Sequence, residues 1–445
     1  MQKLLRRGAD AHVERVLGKS RPADVAAVMR FLDERQQQKI FSHLPDDECR
    51  AEVVSELDPH LQVQLLSDAP IDTLKAIVEQ MSDDDRTDLI SELPESLQAQ
   101  LLEALAPAEA EELELLLNYP ADTAGGIMST EFFSLLEDTT AEQAVRALQT
   151  AGDDVDMAFY VYVLNEHDHL VGVVSLRALV THPAQTPLSD LMQSDVISAT
   201  LTTDQEEVAR LAARYNLLAV PVVDEANKLV GIVTIDDVID VIREEATEDI
   251  LKMAGADESA YEGGEGSVLR NVRRRAPWLF ATWLGGLGAS LLIGLFEHQL
   301  DAQVALAAFI PVVLGMGGNV GIQTATIIVR GIATGKVNTG VGLAYLSREG
   351  GIGLILGLLF GCMLAIFALV RYHGEPGTYA LAATVGVSIC ASMLVSATVG
   401  AVIPLALERV RIDPAVATGP LVTTMVDLLA ILAYFMVAAV LAPTG

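Results

Sequence analysis

The sequence predicts a multi-domain protein with an α-superhelical N-terminal domain, a duplicated α/β region, a connecting helix and an all-α transmembrane domain of five helices. Three observations predict it: a proline-marked repeat of short helices, two copies of one strand pattern, and long apolar runs in the last part of the chain. We place the domain boundaries at 1–127, 128–190, 191–245, 246–270 and 271–445.

Charge divides the chain into an acidic part and an apolar part. Residues 1–270 carry a net charge of −33, whereas residues 271–445 carry +2. An acidic domain argues against nucleic acid as a partner and suits multivalent cations, although a well-solvated acidic surface would have the same composition. No nucleophile–base pair, phosphate-binding glycine loop or zinc motif is recognisable, so we do not expect an enzyme.

Prolines recur in the first region at steps of 11 to 14 residues, with a serine filling one gap: Pro45, Pro59, Pro70, Ser82, Pro94, Pro107 and Pro120. Acidic or polar residues and then an apolar run follow most of them. Proline suits the first helical turn, and acids there complement the helix dipole. One short helix per repeat cannot bury itself alone, so the pattern predicts stacked helices forming a superhelix with an interaction or regulatory role.

The middle region contains two copies of one pattern. Ala158–Leu164 matches Leu218–Val223, and Leu170–Ser175 matches Leu229–Thr234. A helical segment precedes each copy. Two such β-α-β-β-α units in tandem resemble a pair of CBS domains, which are regulatory modules that often bind adenine nucleotides.

A short polar motif ends the second strand of nucleotide-binding CBS domains, where Thr/Ser-x-x-Asp holds the ribose and phosphate. Thr234 and Asp237 match it in the second copy, whereas Ser175 is followed by Ala178 in the first. The resemblance therefore implies ATP or another adenine nucleotide on at most one side of the pair.

A dense acidic segment follows the second copy. On a helix, Asp237, Asp240 and Glu244 share one face, as do Glu245, Glu248 and Asp249. Like charges three and four residues apart repel each other unless something neutralises them. The segment is either a solvated charged face or a divalent-cation site, and oxygen-rich clusters suit Mg²⁺ or Ca²⁺ better than zinc.

Five apolar runs are long enough to cross a bilayer: Pro277–Phe296, Val304–Val329, Gly350–Val370, Tyr379–Leu407 and Ala415–Leu441. Most basic residues of this region lie before the first run, between the second and third, and between the fourth and fifth. The positive-inside rule makes that side cytoplasmic. We expect a multi-pass protein of the plasma (inner) membrane, with a cytoplasmic N-terminal region and the C-terminus outside.

The second run is rich in glycine, at positions 315, 317, 318 and 321. Two interpretations remain open for it. Irregular backbone could line a cavity and offer carbonyl groups to ions, or small residues could let helices pack closely. Asn319 and Gln323 add polar groups four residues apart.

The last run contains one charge, Asp427, close to its middle. A carboxylate there costs roughly 3 kcal/mol or more and normally faces a cavity or a partner. One interpretation is a structural aspartate bonded to Ser or Thr on a neighbouring helix. The other, which we favour, is a cation ligand in a pore.

Together these features resemble the MgtE family of magnesium channels and transporters. Three segments carry the resemblance, Tyr119–Thr130, Gly315–Gly335 and Gly419–Leu429. It implies a homodimer in a lipid bilayer with a pore on the dimer axis, where Asp427 of both subunits binds hydrated Mg²⁺. We expect the pore lining to include Gly318, Asn319, Gln323 and Thr423.

The resemblance also implies that cytosolic Mg²⁺ binds the acidic domains and closes the pore. The positions matching those ligands are Asp204, Glu206, Asp237, Asp240, Glu245, Glu248 and Asp249. We therefore expect passive Mg²⁺ influx that supports Mg²⁺ homeostasis. The alternatives are a transporter of Co²⁺ or Mn²⁺, and a membrane-anchored nucleotide or metal sensor without transport.

Overall fold

The structure is a computed structural model that describes residue 5 and residues 10–151, 159–256, 268–337 and 342–441. The chain forms two compact units, Met1–Glu244 and Glu245–Gly445. Each unit is described by itself below.

The first unit begins with short helices, as the proline repeat predicts. They are α1 (Asp10–Leu17), α2 (Pro22–Met29), α3 (Glu34–Ser42), α4 (Asp47–Ser55), α5 (Pro59–Leu66), α6 (Ile71–Val78), α7 (Asp83–Glu92), α8 (Glu95–Ala104) and α9 (Pro107–Leu116). Pro59 and Pro107 occupy first-turn positions, and Pro70, Ser82 and Pro94 each immediately precede a helix.

One continuous apolar core joins these helices, because each contributes a buried stripe. Leu17, Met29, Ile40, Leu66 and Leu89 are among its fully buried side chains. No single helix of this length would be stable in water, so stacking supplies the stability of the array. The predicted α-superhelical domain is confirmed.

The duplicated region follows in the same unit. Its elements are β1 (Ser134–Leu136), α10 (Ala141–Ala151), β2 (Tyr160–Leu164), β3 (Leu170–Ser175), α11 (Leu176–Thr181), α12 (Leu188–Leu191), β4 (Ala199–Thr200), α13 (Gln205–Tyr215), β5 (Ala219–Val223) and β6 (Leu229–Thr234). They form two three-stranded sheets, β1-β2-β3 and β4-β5-β6.

Each sheet has one parallel and one antiparallel pair of strands in equivalent positions. Val161 pairs with Val174 in the first sheet, and Val220 pairs with Val233 in the second. The copies also contact each other, since the Leu170 amide donates to the Asn227 carbonyl at 3.0 Å. The predicted tandem α/β pair is confirmed.

Helix α14 (Ile235–Met253) is the connecting helix, and the division between the two units falls within it. It ends in a left-handed turn at Gly255, where φ is +67°, and the Ala256 amide donates to the Leu251 carbonyl at 2.8 Å. Glycine adopts this backbone conformation readily. The Gly/Glu-rich part of the predicted linker, residues 257–267, lies outside the described residues.

The second unit continues with helices α15 (Val268–Leu295), α16 (Glu297–Ala302), α17 (Ile310–Ala333), α18 (Gly342–Arg371), α19 (Thr378–Arg409), α20 (Ala415–Thr418) and α21 (Pro420–Leu441), and with a 3₁₀ segment at Val304–Phe309. Five segments of the described chain are long and apolar enough to span a membrane: Asn271–Leu295, Val304–Ala333, Gly342–Arg371, Thr378–Arg409 and Pro420–Leu441. The predicted all-α membrane domain is confirmed.

The predicted start of the last span is wrong. The sequence predicts a continuous last span from Ala415, but the helix breaks at Gly419, whose ψ is −129°, and α21 begins at Pro420. Proline is compatible with the first turn of a helix and disrupts a helix interior, so the break falls where the sequence places a proline.

Candidate functional site

Asp427 lies in the middle of α21 and is half-buried within the chain. In the described part of the chain, no hydrogen bond or ion pair joins its carboxylate to another residue. A Cβ atom on Gly318 would lie 3.6 Å from Asp427 Oδ1, so the backbone of α17 borders the carboxylate directly. Within the part of the chain that the structure describes, no Ser or Thr of a neighbouring helix bonds to Asp427, so the structure gives no support to the purely structural interpretation.

The glycine-rich segment is part of an unbroken helix, since α17 runs from Ile310 to Ala333. A Cβ atom on Gly321 would lie 2.7 Å from Val426 Cγ2, and one on Gly400 would lie 2.4 Å from the Gly321 carbonyl oxygen. These glycines bring α17, α19 and α21 into close contact. The interpretation as irregular backbone is wrong. Close helix packing accounts for Gly317 and Gly321, whereas a Cβ atom on Gly315 would meet nothing within 4 Å.

The other predicted pore residues are distributed along the same two helices. Asn319 and Gln323 are exposed on α17 of this single chain. Thr423 is half-buried on α21, and its hydroxyl donates to the Gly419 carbonyl at 3.1 Å. The structure brings Gly318 to the carboxylate of Asp427, and the pore-lining role of the other three stays a prediction.

The Thr-x-x-Asp motif caps a helix. The Thr234 amide donates to Asp237 Oδ2 at 3.2 Å, and the Thr234 hydroxyl bonds to the carboxylates of Asp236 and Asp237. Thr234 immediately precedes helix α14, and Asp237 is the third residue of that helix. A bond from the amide of the first to the carboxylate of the second is one of the two hydrogen bonds of a capping box. In the first copy, the Ser175 hydroxyl accepts from the Ala178 amide at 3.2 Å. The sequence motif therefore has a structural role independent of nucleotide.

Five aspartates of the first unit form an acidic cluster, of which only Asp237 is among the ligands predicted from the sequence. Asp84, Asp85 and Asp88 come from α7, and Asp236 and Asp237 come from α14. Asp84 Oδ1 is buried without a hydrogen-bond partner in the described chain. The run SDDDRTD at the start of α7 was a visible signal, but the sequence does not show that it lies beside α14.

Crowding of these carboxylates changes their acidity. Burial, and then the Asp84 carboxylate, raises the pKa of Asp85 to about 6. Desolvation, and then Asp84 and Asp85, raises the pKa of Asp88 to about 7, although its side chain keeps solvent access. Burial and Asp84 also raise the pKa of Asp237. Each shift means that the site disfavours negative charge and would favour a cation.

Most of the predicted cytosolic ligands have partners in the protein. Asp204 caps α13 by accepting from the Glu206 amide at 2.9 Å, and Glu206 pairs with Arg210 at 3.0 Å. Asp240 pairs with Arg243 at 3.1 Å. Glu245 and Asp249 lie on α14 and also have interaction partners.

Glu248 belongs to a small ionic group in the second unit. Lys252 Nζ lies 2.6 Å from Glu248 Oε1 and 2.7 Å from Asp413 Oδ2. Desolvation opposes the charge on Lys252, but its hydrogen bonds to Asp413 and Glu248 outweigh this and raise its pKa. A lysine therefore neutralises Glu248 here.

Among the described residues, no group of three or more His, Cys, Asp or Glu side chains is arranged to hold a metal ion. This does not exclude binding of hydrated Mg²⁺, which commonly retains several waters and uses only one or two carboxylates. The orphan oxygen of Asp84 and the raised pKa values fit an ion held through water better than a closed cage of protein ligands.

Comparisons with known proteins cover nearly the whole chain. A family model described as the MgtE intracellular N domain matches residues 20–122, CBS domain models match 124–184 and 188–244, and the MgtE model, described as a divalent cation transporter, matches 310–437. The magnesium transporter MgtE of Bacillus subtilis is 35% identical over 98% of this chain and 95% of its own. That of Thermus thermophilus is 36% identical over 99% of this chain and 97% of its own.

Solved structures match the soluble part. A crystal structure of the cytosolic domain of the Mg²⁺ channel MgtE in complex with ATP is 37% identical, covers 54% of this chain and 98% of that chain, and has a TM-score of 0.51. The soluble part of a magnesium transporter is 32% identical, covers 55% of this chain and 96% of that chain, and has a TM-score of 0.50.

Proposed function

Because this chain belongs to the MgtE family of divalent cation transporters, we propose that it carries Mg²⁺ across a membrane along a path bordered by Asp427 and Gly318. The observation that carries the proposal is the carboxylate of Asp427, which has no ion-pair partner in the described chain and lies inside an apolar helix. A charge in that position is costly unless a cation or water faces it. A structural anchor for a sensor would not need it.

The chemistry of Mg²⁺ explains why so few protein ligands suffice. Mg²⁺ loses its waters reluctantly and prefers six oxygen ligands, so a path that recognises the hydrated ion avoids most of the dehydration cost. Asp427 supplies the negative charge, and Gly318 leaves room for water beside it. The amide oxygens of Asn319 and Gln323 are further acceptors for such water. In the proposed homodimer, a second copy contributes a second Asp427.

The proposed direction of transport is inward, driven by the membrane potential. About 2.3 kcal/mol per charge is available for each 100 mV, which favours a divalent cation entering a negative interior. The basic ends of the apolar helices support a cytoplasmic first unit. The plasma (inner) membrane and an outside C-terminus complete this topology.

Ion flux into liposomes tests the proposal. We expect Asp427→Ala to lower Mg²⁺ flux at least tenfold, because the substitution removes the charge that attracts the cation. Glu375→Ala is the matched control, since Glu375 is an exposed carboxylate of the same unit outside the long helices. Flux at the wild-type rate in Asp427→Ala would show that the path lies elsewhere. Competition by Co²⁺ and Mn²⁺ distinguishes a Mg²⁺-selective path from a general divalent one.

Cytosolic Mg²⁺ is proposed to regulate the same path through the acidic cluster. Without cations the carboxylates of Asp84, Asp85 and Asp88 repel those of α14, and Mg²⁺ relieves this repulsion. The resemblance implies further ligands for this ion: Asp204, Glu206, Asp240, Glu245, Glu248 and Asp249. Millimolar Mg²⁺ then favours a compact arrangement with a closed path.

A double neutralisation tests this regulation. In Asp85→Asn/Asp88→Asn, Mg²⁺ on the soluble-domain side should inhibit flux much less than in the wild type, because the repulsion that Mg²⁺ relieves is already reduced. Asp72→Asn, an exposed aspartate on the neighbouring helix α6, should keep normal inhibition. Identical inhibition curves for the wild type and the double variant would contradict the role of the cluster.

ATP or another adenine nucleotide is a second candidate ligand of the α/β pair. The similarity to an MgtE cytosolic domain in complex with ATP supports it, together with Thr234 and Asp237. Calorimetric titration of ATP into the full-length protein tests it, and the absence of saturable heat would argue against it.

A further inference from the structure

Helix α19 carries a line of four hydroxyl side chains that are completely buried within the chain. They are Thr384, Ser388, Ser392 and Ser396, and each has an exposed fraction of 0%. Their spacing of four residues places them on one face of the helix. Because a buried hydroxyl without a partner costs about 1–3 kcal/mol, four on one face require an explanation.

Two of these hydroxyls donate to backbone carbonyls of α21. Ser388 Oγ lies 3.2 Å from the Tyr434 carbonyl oxygen, and Ser392 Oγ lies 2.9 Å from that of Ala430. Moving four residues forward along α19, from Ser388 to Ser392, therefore moves the bonded carbonyl four residues back along α21, from Tyr434 to Ala430. Ala430 is three residues from Asp427, so the second bond is made within one helical turn of the candidate pore carboxylate.

The next step of this pattern places Ser396 at the level of Val426, adjacent to Asp427. In the described chain, Ser396 Oγ has no hydrogen-bond partner. It lies 3.0 Å from the position that a Cβ atom on Gly317 would occupy, and Ala430 Cβ lies 3.2 Å from the same position. Ser396 therefore sits where α17, α19 and α21 meet, without bonding to any of them.

We propose that Ser388 and Ser392 are positioning residues for Asp427, a role that rests on the proposed function. Helices in a bilayer gain little from the hydrophobic effect when they pack together, so packing and interhelical hydrogen bonds locate one helix against another. Apolar contacts between α19 and α21 have no preferred direction, whereas a hydroxyl–carbonyl bond is directional. The two serines fix the depth and rotation of α21 and so hold the Asp427 carboxylate against the backbone of Gly318.

A comparison of Ser392→Ala with Ser396→Ala tests this role. Both substitutions remove one fully buried hydroxyl from the same helix face, but only the first removes a hydrogen bond to α21. Mg²⁺ flux is measured against Mg²⁺ concentration in liposomes containing the full-length protein. We expect Ser392→Ala to raise the half-saturating Mg²⁺ concentration about threefold, the factor of one interhelical hydrogen bond in a membrane protein, with little change in maximal flux.

Ser396→Ala should give the wild-type curve, and Ser388→Ala/Ser392→Ala should give a shift of about tenfold if the two bonds add. Ser392→Cys keeps the volume with a weaker donor, so its shift should be intermediate. Superimposable curves for Ser392→Ala and Ser396→Ala would overturn the proposal, as would a loss of maximal flux with an unchanged half-saturating concentration. Asp427→Ala separates the two levels: if it retains flux the proposed function fails, and if it loses flux while the serine variants coincide, only the positioning role fails.

Discussion

At the scale of single residues, the contrast between Asp427 and the other acids of the chain is informative. Glu206, Asp240 and Glu248 each lie within ion-pair distance of a basic side chain. Asp427 has no such neighbour among the described residues, and it lies within the apolar helix α21. A carboxylate that the protein does not neutralise is available to an ion from outside the protein.

The raised pKa values of Asp85 and Asp88 make the stability of the first unit depend on pH. Folding raises both pKa values, to about 6 and about 7, so the folded state holds protons more tightly than the unfolded state. The stabilisation that comes from this tighter proton binding is fully present below the ordinary aspartate pKa of about 4, and it is lost as the pH rises through about 7.

We therefore expect the midpoint temperature of thermal unfolding of the first unit, without divalent cations, to decrease as the pH is raised from about 5 to about 8. Thermal unfolding followed by circular dichroism measures it. Asp85→Asn/Asp88→Asn should flatten the slope, whereas Asp72→Asn should not. A midpoint that rises through this range in the wild type, with no difference in slope between the variants, would contradict the shifts.

At the scale of helices, close packing of α17 against α19 and α21 locates the carboxylate of Asp427. We expect Gly321→Ala to destabilise the second unit by about 1–3 kcal/mol, because its Cβ atom would overlap Val426. Gly315→Ala, on the same helix, is the matched control, because a Cβ atom at Gly315 would meet nothing within 4 Å. Thermal stability in detergent, followed by size-exclusion chromatography, compares the two. Equal stability would show that α17 can shift at no cost.

Helix-scale features also show what could be predicted from the sequence. Each repeated proline of the first region lacks a backbone N–H donor, so it cannot lie inside a regular helix, and its position predicts a helix boundary. Strands β3 and β6 could be predicted because Leu170–Ser175 and Leu229–Thr234 repeat one apolar pattern. The break at Gly419 was missed, since hydropathy is uniform across Ala415–Leu441 and does not register backbone geometry.

At the scale of the whole molecule, composition predicts an acidic region in water and an apolar region in a bilayer. The structure forms two compact units. The acidic cluster could not be predicted, because Asp84 and Asp237 are separated by more than a hundred residues and meet only in the folded unit. The role of the second-span glycines was also undecidable from sequence. Both a cavity and a close contact require small residues, and only the position of Val426 beside Gly321 distinguishes them.

The crowded carboxylates have a further consequence for the heat and proton balance of ion binding. The raised pKa values of Asp88 and Asp237 favour their protonated forms near neutral pH. A divalent cation that binds beside them must displace protons into the solvent, so the apparent affinity weakens as the medium becomes more acidic. The measured binding enthalpy then depends on the ionisation enthalpy of the buffer. At constant Mg²⁺ concentration, a more acidic medium would thereby weaken the binding that we propose for Mg²⁺ at the first unit.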